Sequence, residues 1–239
     1  MRSFGDVIGV NNTDVFYNIA EDLRVPFYRI LNELSLEESK GNLKNQRNAR
    51  TIADAALKLL DGYILTTKLK HNQQQFNIEP VSAHAVLYES SQQLGKLARL
   101  HNFDILLNLQ KSVGQIIANH QALGLAVTSL AYSFLYDYDP ANRHKNTLLF
   151  NLHSSTKDTV EIGVYSSDSN ISSGSLRRLR QLKGRARQPL SELSFGSNSG
   201  LIIADELFCD MNSKLVASRY NKLKGVKAML MPSKQLSLC

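Results

Sequence analysis

The chain has 239 residues, 43% of them hydrophobic, with a formal charge of +7 and two cysteines, Cys209 and Cys239. That length allows one large or two small domains with a full core, and two distant cysteines exclude a disulfide framework or a zinc site. No apolar run approaches the roughly 18 residues of a membrane helix, and the N-terminus lacks the basic-then-apolar plan of a signal peptide, so a cytoplasmic, membrane-free protein is expected.

The first predicted elements are two helices. Phe16, Ala20, Leu23, Phe27, Ile30 and Leu34 alternate steps of four and three, and Ala49, Ile52, Ala56, Leu59 and Tyr63 do the same. The polar stretch Ser35 to Asn42 separates them, which makes 13–72 a helical hairpin. One hairpin buries little, so pairing of two copies as a four-helix dimer is expected. Pro26 should kink the first helix.

A second domain is expected over 76–239. A short extended piece before Pro80 leads to a helix over Ser82 to His101. Strands follow at Asp104 to Leu109 and Gln115 to Ala118, then the most apolar helix, His120 to Tyr136. His120, at its entrance, reads as a capping or surface residue. Thr147 to His153 and Thr159 to Tyr165 alternate with period two, joined by the polar turn Ser154 to Asp158. After a basic segment, a glycine-bounded turn (Gly196, Gly200) opens a helix from about Leu201. Its stripe is Ile203, Ala204, Leu207, Phe208 and Met211. Asn212 and Ser213 end it, and a hairpin of Lys214 to Tyr220 and Gly225 to Met231 closes the chain before Pro232. The fold class is α+β: a helical hairpin followed by helices over one face of a mixed, mainly antiparallel sheet, a two-layer α/β sandwich.

From Phe16 to Leu238 this layout resembles two-component sensor histidine kinases. Three stretches carry the resemblance. Glu21-Asp22-Leu23-Arg24-Val25-Pro26-Phe27 is similar to the His-Glu-Leu-Arg-Thr-Pro-Leu pattern of their dimerisation helix. Gly196, Gly200 and Leu201 match the outer glycines and final leucine of their GxGLGL turn. The closing hairpin has the same place in both. The resemblance implies a dimerisation hairpin and a Bergerat-type ATP-binding domain, with ATP and Mg²⁺ as cofactors in a working member.

Departures from the family pattern fall on its chemistry. Glu21 stands where the phospho-accepting histidine is expected. Ser129 and Ser133 replace both asparagines of the Asn-Leu-x-x-Asn-Ala motif that holds Mg²⁺, and a serine hydroxyl has a shorter reach. Ser166 stands at the adenine-binding aspartate of Asp-x-Gly-x-Gly, with Asp168 two positions late. Loss of one charge-assisted hydrogen bond is worth roughly 1.5 to 3 kcal/mol. The nucleotide-binding remnant is therefore Ser129, Ser133, Ser166, Asp168, Gly196 and Gly200, with no metal site and no bound cofactor expected.

From Ser169 to Ser191 no acidic residue occurs, while Arg177, Arg178, Arg180, Lys183, Arg185 and Arg187 form a basic lid. Clustered cations suit a polyanion, but the run has no aromatic residue for base stacking, so an acidic protein surface is preferred to nucleic acid. The expected function is that of a pseudokinase acting by binding: a homodimer through its hairpin, a partner of another histidine kinase, or a ligand of a response-regulator receiver. The alternatives are a divergent active kinase that phosphorylates a partner in trans and a nucleic-acid adaptor working through the basic lid.

Overall fold

The computed structural model describes residues 27–30, 43–70, 76–136, 144–156, 158–181 and 197–233. Glu21, Lys183, Arg185, Arg187 and Gly196 lie outside the described residues, as does most of the first predicted helix. Residues 27–30 of that helix are helical. Phe27, assigned to its buried seam, is 55% exposed in the single chain.

The second helix, α1 (Leu43–Lys70), runs unbroken. Its expected stripe is inside: Ala49, Ile52, Ala56 and Leu59 are all buried. Ala55, Leu59 and Leu65 join the same hydrophobic cluster as the sheet that follows. The helix thus packs against its own chain's α/β layers.

Ser82 caps α2 (Ala83–Leu100), its hydroxyl accepting from the Ala85 N–H. His101 and Asn102 end the helix, Asn102 in the left-handed region at φ 60°. Asn119, not the adjacent exposed His120, caps α3 (His120–Tyr136), its side chain accepting from the Ala122 N–H.

Strands β2 (Phe103–Leu109), β4 (Asn146–Thr156), β5 (Thr159–Ser166), β7 (Leu223–Leu230) and β6 (Val216–Tyr220) form one sheet in that spatial order. The pairing of β2 with β4 is parallel and the rest are antiparallel. Strands β1 (Glu79–Val81) and β3 (Ile116–Ala118) make a separate antiparallel pair. Val160, Ile162 and Val164 of β5 point into the core with residues of α2 and α3, as their alternation predicts.

Two expectations change in the basic segment and at its exit. Ser173–Gln181 is a helix, α4, with Leu176 and Leu179 buried, where the sequence reads as a solvated lid. Leucines three apart anchor one face while Arg177 and Arg178 remain exposed. The next helix, α5 (Ser197–Asp210), begins before Leu201, so Gly200 lies inside a helix and not in a turn. It ends as expected: Asn212 takes φ 55° and the Ser213 N–H bonds back to Phe208 O at 2.8 Å. The final hairpin turns on Asn221 and Lys222 alone, at φ 45° and 69°, tighter than the four-residue turn expected.

Candidate functional site

The residues singled out in α3 and α5 do come together. An ideal Cβ on Gly200 would overlap the Ser129 carbonyl oxygen and lie 2.6 Å from Ser133 Oγ. The two helices therefore touch backbone to backbone, a contact that only glycine permits. A third helix reaches the same point. A Cβ on Gly62 of α1 would lie 2.8 Å from Ile203 Cγ2 and 3.4 Å from Ser129 Oγ.

Within this junction Ser129 is 1% exposed and Ser133 is 3% exposed. The Ser133 hydroxyl donates to the Ser129 carbonyl at 3.2 Å, one turn back in its own helix. Ser129 Oγ and Ser199 Oγ are buried with no hydrogen-bond partner among the described residues. These small side chains fit as spacers that let three helices approach. They do not fit Mg²⁺, which requires oxygens at about 2.0 to 2.1 Å and room for several waters.

Ser166 and Asp168 serve a turn of their own. Ser166, at the end of β5, is buried, and its hydroxyl accepts from the Asp168 N–H at 3.2 Å. Asp168 is half-buried in that turn. Two further serines repeat the device, Ser169 accepting from the Ile171 N–H and Ser172 from the Ser175 N–H. The serine-rich run after β5 thus satisfies its own backbone.

The described part of the basic lid divides by role. Arg177 and Arg178 are exposed on α4. Arg180 is not a lid cation. Its Nε and Nη2 donate to the fully buried Asp205 carboxylate at 2.7 to 3.3 Å, and Nη2 also donates to Leu215 O at 2.7 Å. Those hydrogen bonds hold the guanidinium more firmly protonated than usual, against the opposing effect of burial. The fork ties α4 to α5 and to the approach of β6.

A second polar cluster, absent from the expected sites, lies on the sheet face opposite Val160, Ile162 and Val164. Lys227 donates to the buried Glu161 at 2.6 Å, and the Tyr165 hydroxyl reaches the same carboxylate at 3.4 Å. Burial, more than the nearby Glu161 charge, pushes the Tyr165 hydroxyl up to about 12. Asn151 bridges the His153 ring and Asn108, and Asn108 continues to the Tyr220 hydroxyl. The signal was present in Val160-Glu161-Ile162-Gly163-Val164-Tyr165, whose alternation places Glu161, Gly163 and Tyr165 on one face.

No family profile and no curated protein matches the chain. Solved structures do. The Acinetobacter baumannii histidine kinase AdeS is 10% identical with a TM-score of 0.57, covering 90% of this chain and 98% of that one. The fold is that of a sensor histidine kinase's cytoplasmic segment. Full-length ShkA, in complex with AMPPNP, gives a TM-score of 0.54 at 12% identity over 93% of this chain and 45% of its own. The histidine kinase ThkA, in complex with the response regulator TrrA, gives 0.53 at 11% identity over 91% of this chain and 61% of its own. The histidine-kinase fold expected from the three motif remnants is thus present.

Proposed function

We propose that this chain is a histidine kinase-like component of two-component signalling that acts by binding instead of phosphoryl transfer. One observation carries the reading: Gly200 packs on the Ser129 carbonyl, with Ser133 buried beside it. The positions that the family resemblance assigns to Mg²⁺ and phosphates are spent on helix packing. The replacement of the phospho-accepting histidine by Glu21 agrees with this. The partners are a second copy through the hairpin, another kinase's hairpin, or a response-regulator receiver; the complex of ThkA with TrrA supplies the precedent for the last.

Calorimetric titration with ATP and Mg²⁺ tests the loss of chemistry. The expected result is no saturable heat up to several millimolar. Saturable, metal-dependent binding that survives neutralisation of Arg219 and Lys224, two exposed cations paired across the β6–β7 hairpin, would overturn it in favour of a divergent kinase. Sedimentation analysis and titration with a receiver domain test the binding half, and a chain that neither self-associates nor binds a receiver or kinase hairpin would refute it.

A further inference from the structure

A cavity of about 400 Å³ lies between the β5–α4 connection and the β6–β7 hairpin, away from the Ser129–Gly200 junction. Asn170, Ser172 and Ser173 line one side and Ser218, Arg219 and Lys224 the other, and no carboxylate is among its lining residues. The volume falls within the range of small-ligand sites.

Register creates the unusual feature. The two-residue turn at Asn221 and Lys222 pairs Tyr220 with Leu223, which puts Arg219 directly opposite Lys224 on the neighbouring strand. Both are exposed, and neither makes an ion pair among the described residues. Like charges in direct cross-strand opposition repel, and a hairpin gains nothing from such a pair. An anion seated between them converts the repulsion into two charge-assisted contacts. The far wall brings no opposing charge: Asn170, Ser172 and Ser173 line it, with Ser172 Oγ already accepting from the Ser175 N–H and hydrogen-bonded to Ser175 Oγ.

We propose that this cavity binds a small phosphate-bearing anion, either inorganic phosphate or the phosphate end of a small ester, between Arg219, Lys224 and the serines of the β5–α4 connection. The site is independent of the pseudokinase reading, since it uses neither the α3–α5 junction nor the hairpin of 13–72.

The test titrates the full chain with inorganic phosphate and with ribose 5-phosphate at constant ionic strength, with chloride as the control anion. Saturable millimolar or tighter binding of either is expected, and the tighter of the two identifies the source. Arg219→Gln or Lys224→Gln alone should weaken it about ten- to a hundredfold, the worth of one charge-assisted hydrogen bond. Lys224→Glu provides a check that cannot be mistaken for unfolding. It turns the repelling pair into an ion pair, so the melting temperature without phosphate should rise while phosphate binding is lost. Heat indistinguishable from the chloride control for both anions overturns the proposal, as does affinity retained in Arg219→Gln/Lys224→Gln or in Lys224→Glu. Repeating the ATP titration in the double variant separates the two proposals, because ATP held here by its phosphates would lose that binding and ATP held in a kinase-like site would not.

Discussion

Two carboxylates are buried on opposite sides of the sheet, and each is neutralised differently. Asp205, in the helix layer, faces a planar guanidinium that also holds the Leu215 carbonyl, so one side chain fixes α4, α5 and the entry to β6. Glu161, on the other face, faces the single ammonium of Lys227 within a spread of Tyr165, His153 and Asn151. The first arrangement is directional and joins three elements. The second is a point charge in a network with several members to share a loss.

The largest expected effect comes from breaking the directional side. Arg180→Ala leaves Asp205 buried without its fork and should cost about 4 kcal/mol in chemical denaturation, with α4 released from α5. The next strongest lever is pH, through a third buried titratable group. One Arg29 nitrogen lies 3.3 Å and 3.2 Å from the two ring nitrogens of His101, and burial first, then Arg29, lowers the imidazole to about 4. The folded state therefore refuses a proton that the unfolded chain takes near 6.5. Stability should be unaffected above that pH and fall progressively by roughly 3 kcal/mol as pH drops toward 4, and His101→Gln should flatten the loss in urea melts across that range.

Lys227→Met, on the network side, should cost about 2 kcal/mol, less than Arg180→Ala because Tyr165 still reaches Glu161. The smallest effects come from exchanging the cations. Arg180→Lys should cost about 1 to 2 kcal/mol, through loss of the fork and of the Leu215 contact, whereas Lys227→Arg should stay within about 1 kcal/mol. Equal costs for the two exchanges would remove the contrast between the sides.

Much of the architecture was legible in the sequence because period and punctuation carry it. The stripe of α1, the apolar α3, the alternation of β4 and β5 and the helix stop at Asn212 and Ser213 all follow from local pattern. What escaped depends on partners far along the chain. Asp205 sits among apolar helix positions, and only the arrival of Arg180, 25 residues earlier, makes it a core residue. Leu176 and Leu179 were hidden by the arginines between and around them, so α4 read as a lid. Gly200 read as a turn glycine, because a sequence cannot distinguish a glycine needed for positive φ from one needed for close helix approach. Ser129 and Gly200 were singled out from sequence, but their packing against each other and Gly62 appears only in the structure.

That shared core gives α1 a mechanical consequence. At 28 residues the helix is about 42 Å long. A rigid lever that swung clear of the sheet would have to expose Ala55, Leu59 and Leu65, which belong to one hydrophobic cluster with it. At roughly 25 cal/mol for each Å² of apolar surface, that release costs several kcal/mol. Gly62, Ser129 and Gly200 bring α1, α3 and α5 together at the same place, with the buried Ile203 side chain of α5 seated over Gly62. α1 is therefore built into the core of the sheet domain, and any motion that separates it from α3 and α5 has to open that core.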